Sequence, residues 1–176
     1  MRARAAPASP PPHTPGQIRA AALLVVALGL AIHANGWFGV FVFDDGPAIR
    51  DNPTIQSLWP LTTACSPPEN SGVGGRPLAN LSFALNRALG GPSPVSYHAG
   101  NLLLHAGAAL LLFGIVRRTW RAAGPGLAAS AALLWMVHPL TTAAVTYLSQ
   151  RTELLMAVCY LLTLYAFIRA CESSQR

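Results

Sequence analysis

Two adjacent carboxylates, Asp44 and Asp45, follow directly on the uncharged run Trp37–Phe43. A pair of acids at the edge of so apolar a stretch is costly unless it is solvated, paired or used. In extended chain neighbouring side chains point to opposite sides, so one pocket would receive only one of the two unless a turn intervenes. Gly46-Pro47 supplies such a turn signal. The pair therefore reads either as a solvated helix end or as a functional carboxylate. A metal held by Asp44 and Asp45 is a weaker option, because the spacing fixes no third ligand. No metal site is assigned, and dependence on a divalent metal stays open.

A second polar group lies further along. His98, Asn101 and His105 stand at i, i+3 and i+7, so they share one helix face. Two turns, about 10 Å of rise, separate the imidazoles, which is too far for one zinc ion. The stripe instead reads as hydrogen bonding between helices, or as the lining of a watered cavity. His138-Pro139 closes a later apolar run, Thr141–Arg151 forms a second outer segment, and Arg151 and Glu153 open the helix after it. An arginine at this level is an interfacial anchor, or else a planar fork for a phosphate in a pocket.

The elements that must position these groups are set by composition. Of 176 residues, 52% are hydrophobic and 10% charged, and the mean hydropathy is +0.40. A soluble domain needs about 25% charged residues, so a soluble globular enzyme is excluded. The apolar content excludes disorder, and three cysteines make no disulfide scaffold. The net charge of +6 comes from twelve arginines and no lysine, spaced between long uncharged stretches rather than gathered in one patch. That distribution argues against nucleic acid. Ala20–Phe43, Ala88–Val116 and Ala122–Gln150 contain no charged residue, and Leu154–Ile168 is a shorter fourth run. About 20 apolar residues cross a bilayer as helix, so the pattern predicts an all-α integral membrane protein with four transmembrane helices.

A cytoplasmic N-terminus puts Arg2, Arg4, Arg19, Arg117, Arg118, Arg121, Arg169 and Arg176 on one side, with Glu172 its only acid. The other side then carries Arg50, Arg76, Arg87 and Arg151 with the remaining acids. That asymmetry places both termini in the cytoplasm. A cleaved signal peptide fits poorly, because the first apolar run is long and no small-x-small cleavage site follows it. The long outer loop, residues 44–95, contains Leu78, Leu81, Leu85 and Leu89 at i, i+3, i+7 and i+11. This one-sided stripe predicts a helix over Arg76–Leu89, lying at the membrane interface or packed on the other spans. Asn80-Leu81-Ser82 matches a glycosylation sequon.

The ordered set Phe41-Val42-Phe43-Asp44-Asp45-Gly46-Pro47, Asp51-Asn52-Pro53, Gly75–Asn86, Tyr97–His105, His138-Pro139-Leu140, Val145-Thr146-Tyr147 and Gln150-Arg151-Thr152-Glu153 resembles a known enzyme group. These are the membrane-embedded GT-C glycosyltransferases with C-terminal tetratricopeptide repeats, which include the transmembrane O-mannosyltransferases. The likeness runs over residues 37–169. It implies inverting transfer of a sugar such as mannose from a polyprenyl-phosphate donor to an acceptor hydroxyl at the outer or lumenal face. Because the leaving group is already a phosphate, one carboxylate to take the acceptor's proton and one cation to stabilise the phosphate suffice. Carried onto this sequence, Asp44 is the expected base, with Asp45 supporting it or exchanging roles. Arg151 is the expected phosphate ligand, with Arg76 second, and His98, Asn101, His105, His138 and Glu153 line or shape the pocket. A lipid-linked sugar is the expected donor, a protein or glycan the acceptor, and membrane lipid the surroundings, in a bacterial inner membrane or the endoplasmic reticulum.

Two features depart from the family. Ala143 stands where members usually carry an acidic residue, and no helical-repeat pattern follows the fourth span. The chain is therefore expected to be an N-terminal portion. Residues 1–17 would form a disordered cytoplasmic tail, 18–170 the transmembrane part, and 171–176 a polar end. A missing C-terminal segment or a partner chain would complete it. A non-catalytic membrane subunit or scaffold is the alternative. A small transporter is a third reading, motivated by the His98, Asn101 and His105 stripe, although transport favours polar groups near the midplane.

Overall fold

Thr14-Pro15-Gly16-Gln17 is a helix start. The Thr14 hydroxyl accepts from the Gln17 amide, the Gln17 side chain accepts from the Thr14 amide, and Pro15 occupies the first helical position, where its missing N–H is not needed. The computed structural model describes residues 13–174. Residues 1–12 of the expected tail and 175–176 of the expected polar end lie outside the described residues. From Pro15 onward the tail is already helix α1 (Pro15–Ile32), and its capping box is the reason.

α1 uses only part of the uncharged run to Phe43. After Ile32 the chain tightens into a 3₁₀ turn over Ala34–Phe38 and then loses regular structure through Gly39–Val42. Eighteen helical residues rise about 27 Å, close to the thickness of a hydrocarbon core. Helix α4 (Pro94–Thr119) is the centre of the bundle, with α5 (Gly124–Val137), α7 (Arg151–Ser174) and α1 packed on it. Small residues let these helices approach closely. A Cβ on Gly29 would overlap the Met136 side chain, and one on Gly114 would come within 2.7 Å of the Tyr165 ring. The bundle core is correspondingly alanine-rich, with Ala109, Ala128 and Ala132 sealed around Val25, Phe113 and Met136.

Three helices are long and apolar enough to cross a membrane by themselves: α1, α4 and the helix ending at Ser174. The third expected span, Ala122–Gln150, is a broken one. α5 is followed by α6 (Pro139–Thr146) at a bend of 59°. Pro139 forces His138 out of the helical region, to ψ 132°. The Thr141 hydroxyl then satisfies the freed carbonyl of Trp135 at 2.6 Å. All regular structure among the described residues is helical, and the chain is an all-α membrane protein.

The long loop is a folded layer with its own core. Ile49, Ile55, Val73 and Phe83 close against Tyr97 and Leu148. Helix α2 (Leu61–Ala64) and two shorter turns lead to α3 (Pro77–Gly90). The leucine stripe of α3 faces outward, with Leu78, Leu85 and Leu89 exposed, while Ala79, Asn80, Phe83 and Ala84 face the layer. An amphipathic helix with this outward apolar face suits a membrane interface. On the loop surface Arg50 holds Asp51 by two contacts of 3.0 and 2.8 Å, which keeps the Asp51 carboxyl below its usual range.

The sequon asparagine is the centre of this layer. Asn80 is fully buried, donates to the Thr54 hydroxyl and the Ala64 carbonyl, each at 2.8 Å, and accepts from the Asn52 amide at 2.8 Å. A glycan on Asn80 is incompatible with this fold. Asn80→Ala removes one acceptor of the Asn52 side-chain amide and the side-chain donor to the Ala64 carbonyl, at a cost of about 2–3 kcal/mol. Hydrogen exchange should show the amides of residues 48–80 losing protection while those of α4 keep theirs.

Candidate functional site

The exit from α1 turns on Phe43, whose φ of 44° puts a bulky residue in the left-handed region. Such a conformation persists only where surrounding contacts hold it. Here the Asp45 amide donates to the Val42 carbonyl at 2.9 Å, and the Asp45 side chain accepts from the Val42 amide at 3.1 Å. The turn splits the acidic pair. Asp45 points inward, is fully buried, and accepts from the Ser149 amide at 2.7 Å. Asp44 stays exposed, where the Tyr147 hydroxyl donates to its Oδ2 at 2.9 Å and its own amide donates to that hydroxyl at 3.2 Å. One acid ties the first loop to the stretch before α7. The other presents an oriented oxygen to the surroundings.

Arg151 opens α7 and is 2% exposed. Its Nε donates to Asn101 Oδ1 at 2.6 Å, Nη1 to the Ser82 carbonyl at 3.2 Å, and Nη2 to Asn86 Oδ1 and the Tyr97 carbonyl at 2.8 and 2.9 Å. The guanidinium also lies 4.5 Å from the centre of the Phe83 ring. All these acceptors are neutral, and none belongs to the acidic pair. Asn101 completes the arrangement by donating to the Ala144 and Leu148 carbonyls. The fork expected to hold a phosphate is thus filled by the protein's own acceptors.

Arg76 has a different setting. It is exposed at the start of α3, with Nη1 donating to the Gly72 carbonyl at 2.9 Å. Gly72 in turn backs onto the Asp44 side chain, so closely that a Cβ there would lie 3.2 Å from that of Asp44. Arg76 lines a groove of about 430 Å³ between α3 and α7, whose polar residues are Arg76, Thr152 and Glu153 and whose apolar ones include Leu78, Leu155 and Met156. The groove therefore offers a cation, an acid and a hydroxyl together with an apolar wall. A molecule with an anionic head and a hydrocarbon tail has both ends matched there.

The histidines separate. His98 is buried with neither ring nitrogen bonded to protein among the described residues, beside a small space of about 10 Å³ shared with His33, Trp37 and Thr146. Such a volume holds about one water. His105 bonds the Met136 carbonyl at 3.1 Å and stacks on Trp135, away from the groove. His138 is exposed and caps α6 through the Leu140 amide. Among the described residues no three His, Cys, Asp or Glu side chains gather to hold a metal. The structure brings Asp44 and Arg76 to the two sides of Gly72 and Arg76 and Glu153 to one groove, and sets Asp45, Asn101 and Arg151 behind them. Tyr147, Asn86 and Gly100 make or permit contacts in this arrangement that no spacing in the sequence signalled.

Gly100 shows how tight the Arg151 seat is. A Cβ there would overlap Asn86 Oδ1 and lie 2.7 Å from Arg151 Nη2, whereas one on Gly107 meets nothing within 4 Å. Gly100→Ala should destabilise the protein by about 2–3 kcal/mol. Gly107→Ala, in the same helix, should be neutral or slightly stabilising. Thermal unfolding of both variants in one detergent checks the contrast.

No family model matches the chain, and no solved structure does. Curated relatives do. The chain is 38% identical to protein O-mannosyl-transferase Tmtc1 of Drosophila melanogaster over 81% of its own length and 17% of the relative's. It is 32% identical to human protein O-mannosyl-transferase TMTC4 over 89% of its length and 24% of the relative's. For the mouse protein O-mannosyl-transferase TMTC2 the figures are 34%, 87% and 19%. The chain spans about a fifth of the length of these relatives. Identity of 32–38% sustained over more than four fifths of the chain shows that it belongs to the TMTC protein O-mannosyl-transferase family.

Proposed function

We propose that this chain forms the outer-face site of a multi-pass membrane mannosyltransferase that moves a sugar from a polyprenyl phosphate to a hydroxyl of a protein. The observation that carries the reading is the exposed Asp44 oxygen, oriented by Tyr147, one residue's width from the Arg76 groove. The donor's phosphate lies against Arg76, with its hydrocarbon along Leu155 and Met156. The acceptor oxygen attacks the anomeric carbon and gives its proton to Asp44. The bond from that carbon to the phosphate oxygen breaks, and its electron pair leaves with the phosphate beside Arg76. Positioning and charge stabilisation suffice for this chemistry because phosphate is a good leaving group.

The remaining residues have supporting parts. Asp45 fixes the turn that aims Asp44, and Arg151 with Asn101 fixes the start of α7, so Arg76 rather than Arg151 meets the phosphate. Glu153, on the opposite wall of the groove, accepts hydrogen bonds from the sugar. His98 stands behind the loop that carries Asp44. The site faces the lumen or periplasm and both termini face the cytoplasm, in keeping with the arginine asymmetry. A reporter inserted after Arg118 should be cytoplasmic and one near Ser71 external; finding both on one side removes the outer-face site.

In a protein that contains this segment and transfers sugar, Asp44→Asn keeps the size of the side chain but cannot take the proton. Its kcat should fall by about 10²–10⁴ with donor KM little changed. Arg76→Gln should raise donor KM and lower kcat together. Asp45→Asn should act through the fold, visible as a lower Tm. Full activity in Asp44→Asn ends the base assignment.

A further inference from the structure

At the opposite end of the bundle, among the described residues, four arginines are grouped near a single carboxylate. Arg117 and Arg118 end α4, Arg121 follows in the turn, and Arg169 and Glu172 lie in the last turns of α7. Arg121 Nη2 bonds Glu172 Oε1 at 2.6 Å, and Arg118 Nη1 lies 3.7 Å from Oε2. Arg118 is also fixed by the Tyr165 hydroxyl at 3.0 Å and by the Tyr165 ring, whose centre is 5.1 Å away. Its Nε is buried without a partner. Arg117 adjoins Arg118 in the last turn of α4, and Arg169 stands one helical turn from both Tyr165 and Glu172 on α7; neither forms an ion pair among the described residues.

One carboxylate cannot neutralise four arginines, and packing so many like charges together is unfavourable unless an anion joins them. The depth of the cluster identifies that anion. It sits at the ends of membrane-crossing helices, beside the exposed side chains of Trp120 and Phe167. Exposed aromatics at such ends mark the boundary between hydrocarbon and headgroups. Arginine's planar fork suits phosphate oxygens, often through two parallel bonds. We propose that Arg117 and Arg169, framed by the fixed Arg118 and Arg121, bind the phosphate of an anionic phospholipid headgroup. The Glu172 carboxylate holds two of the arginines in place and leaves the other two for the ligand. This site is separate from the α3–α7 groove and stands independently of the transferase reading.

The test uses the whole chain in a neutral detergent, with bound lipid read by native mass spectrometry. Dioleoyl-phosphatidylglycerol should bind about tenfold better than dioleoyl-phosphatidylcholine, and the preference should shrink as salt is raised. Arg117→Gln/Arg169→Gln keeps both pairs to Glu172 and should abolish the preference. Arg50→Gln/Arg87→Gln, with the same charge change at the other end, should keep it. Circular dichroism verifies that both double variants retain wild-type helicity, and if either does not, the salt titration of the wild type decides. Equal binding of the two lipids, a preference that survives Arg117→Gln/Arg169→Gln, or one that salt does not weaken overturns the proposal. Displacement of the lipid by inorganic phosphate at equal concentration would identify a free-phosphate site instead, and overturns it as well.

Discussion

A guanidinium taken out of water must find an acceptor for nearly every N–H, and the carbonyls and amides that accept from Arg151 come from two helices other than its own. Ser82 and Asn86 belong to α3, Tyr97 and Asn101 to α4, and Arg151 itself to the first turn of α7. Leaving a buried charged donor without one of its acceptors costs about 2–3 kcal/mol, so these helices are held in one mutual geometry. The groove between α3 and α7 has a fixed width for that reason. Gly100 is part of the same arrangement, since only a residue without Cβ leaves the guanidinium its place.

The two neighbouring acids divide the labour in the other half of the site. The carboxyl of Asp45 serves the backbone, accepting from Val42 and Ser149, and the strained Phe43 is held between these contacts. Asp44 is left exposed, with a single phenol to aim it. Replacing one acid should alter chemistry and replacing the other should alter shape, although both sit on the same short turn. The deep burial of the second acid and the full exposure of the first are two results of one backbone reversal.

Much of the fold was legible because hydrocarbon imposes simple rules. Uncharged runs gave the helices, the leucine spacing gave α3, and the i, i+3, i+7 pattern placed His98, Asn101 and His105 on the face that turns into the bundle. Helix ends were less legible. The first run continues to Phe43 without a charge, yet α1 stops at Ile32 and gives way to a 3₁₀ turn over Ala34–Phe38 that hydropathy cannot see. The site was legible in its residue types and opaque in its wiring. The sequence puts Arg151 ahead of Arg76 as a phosphate ligand. Only the positions of Asn86, Asn101 and two carbonyls, brought from 50 to 69 residues away, show that the first is already occupied.

The contact between Asp45 and Ser149 spans 104 residues, and that from Asp44 to Tyr147 spans 103. A chain synthesised at about 5–20 residues per second therefore leaves the exit of α1 without its partners for roughly 5–20 s. During that time the two acids can be hydrated, and nothing yet holds Phe43 in its unfavourable backbone conformation. The first helix enters the bilayer long before the turn beside it acquires its final shape. Ribosomal order thus makes the acidic turn one of the last parts of this region to mature, and a pause or truncation before residue 149 would yield helices that insert normally around a turn that never forms.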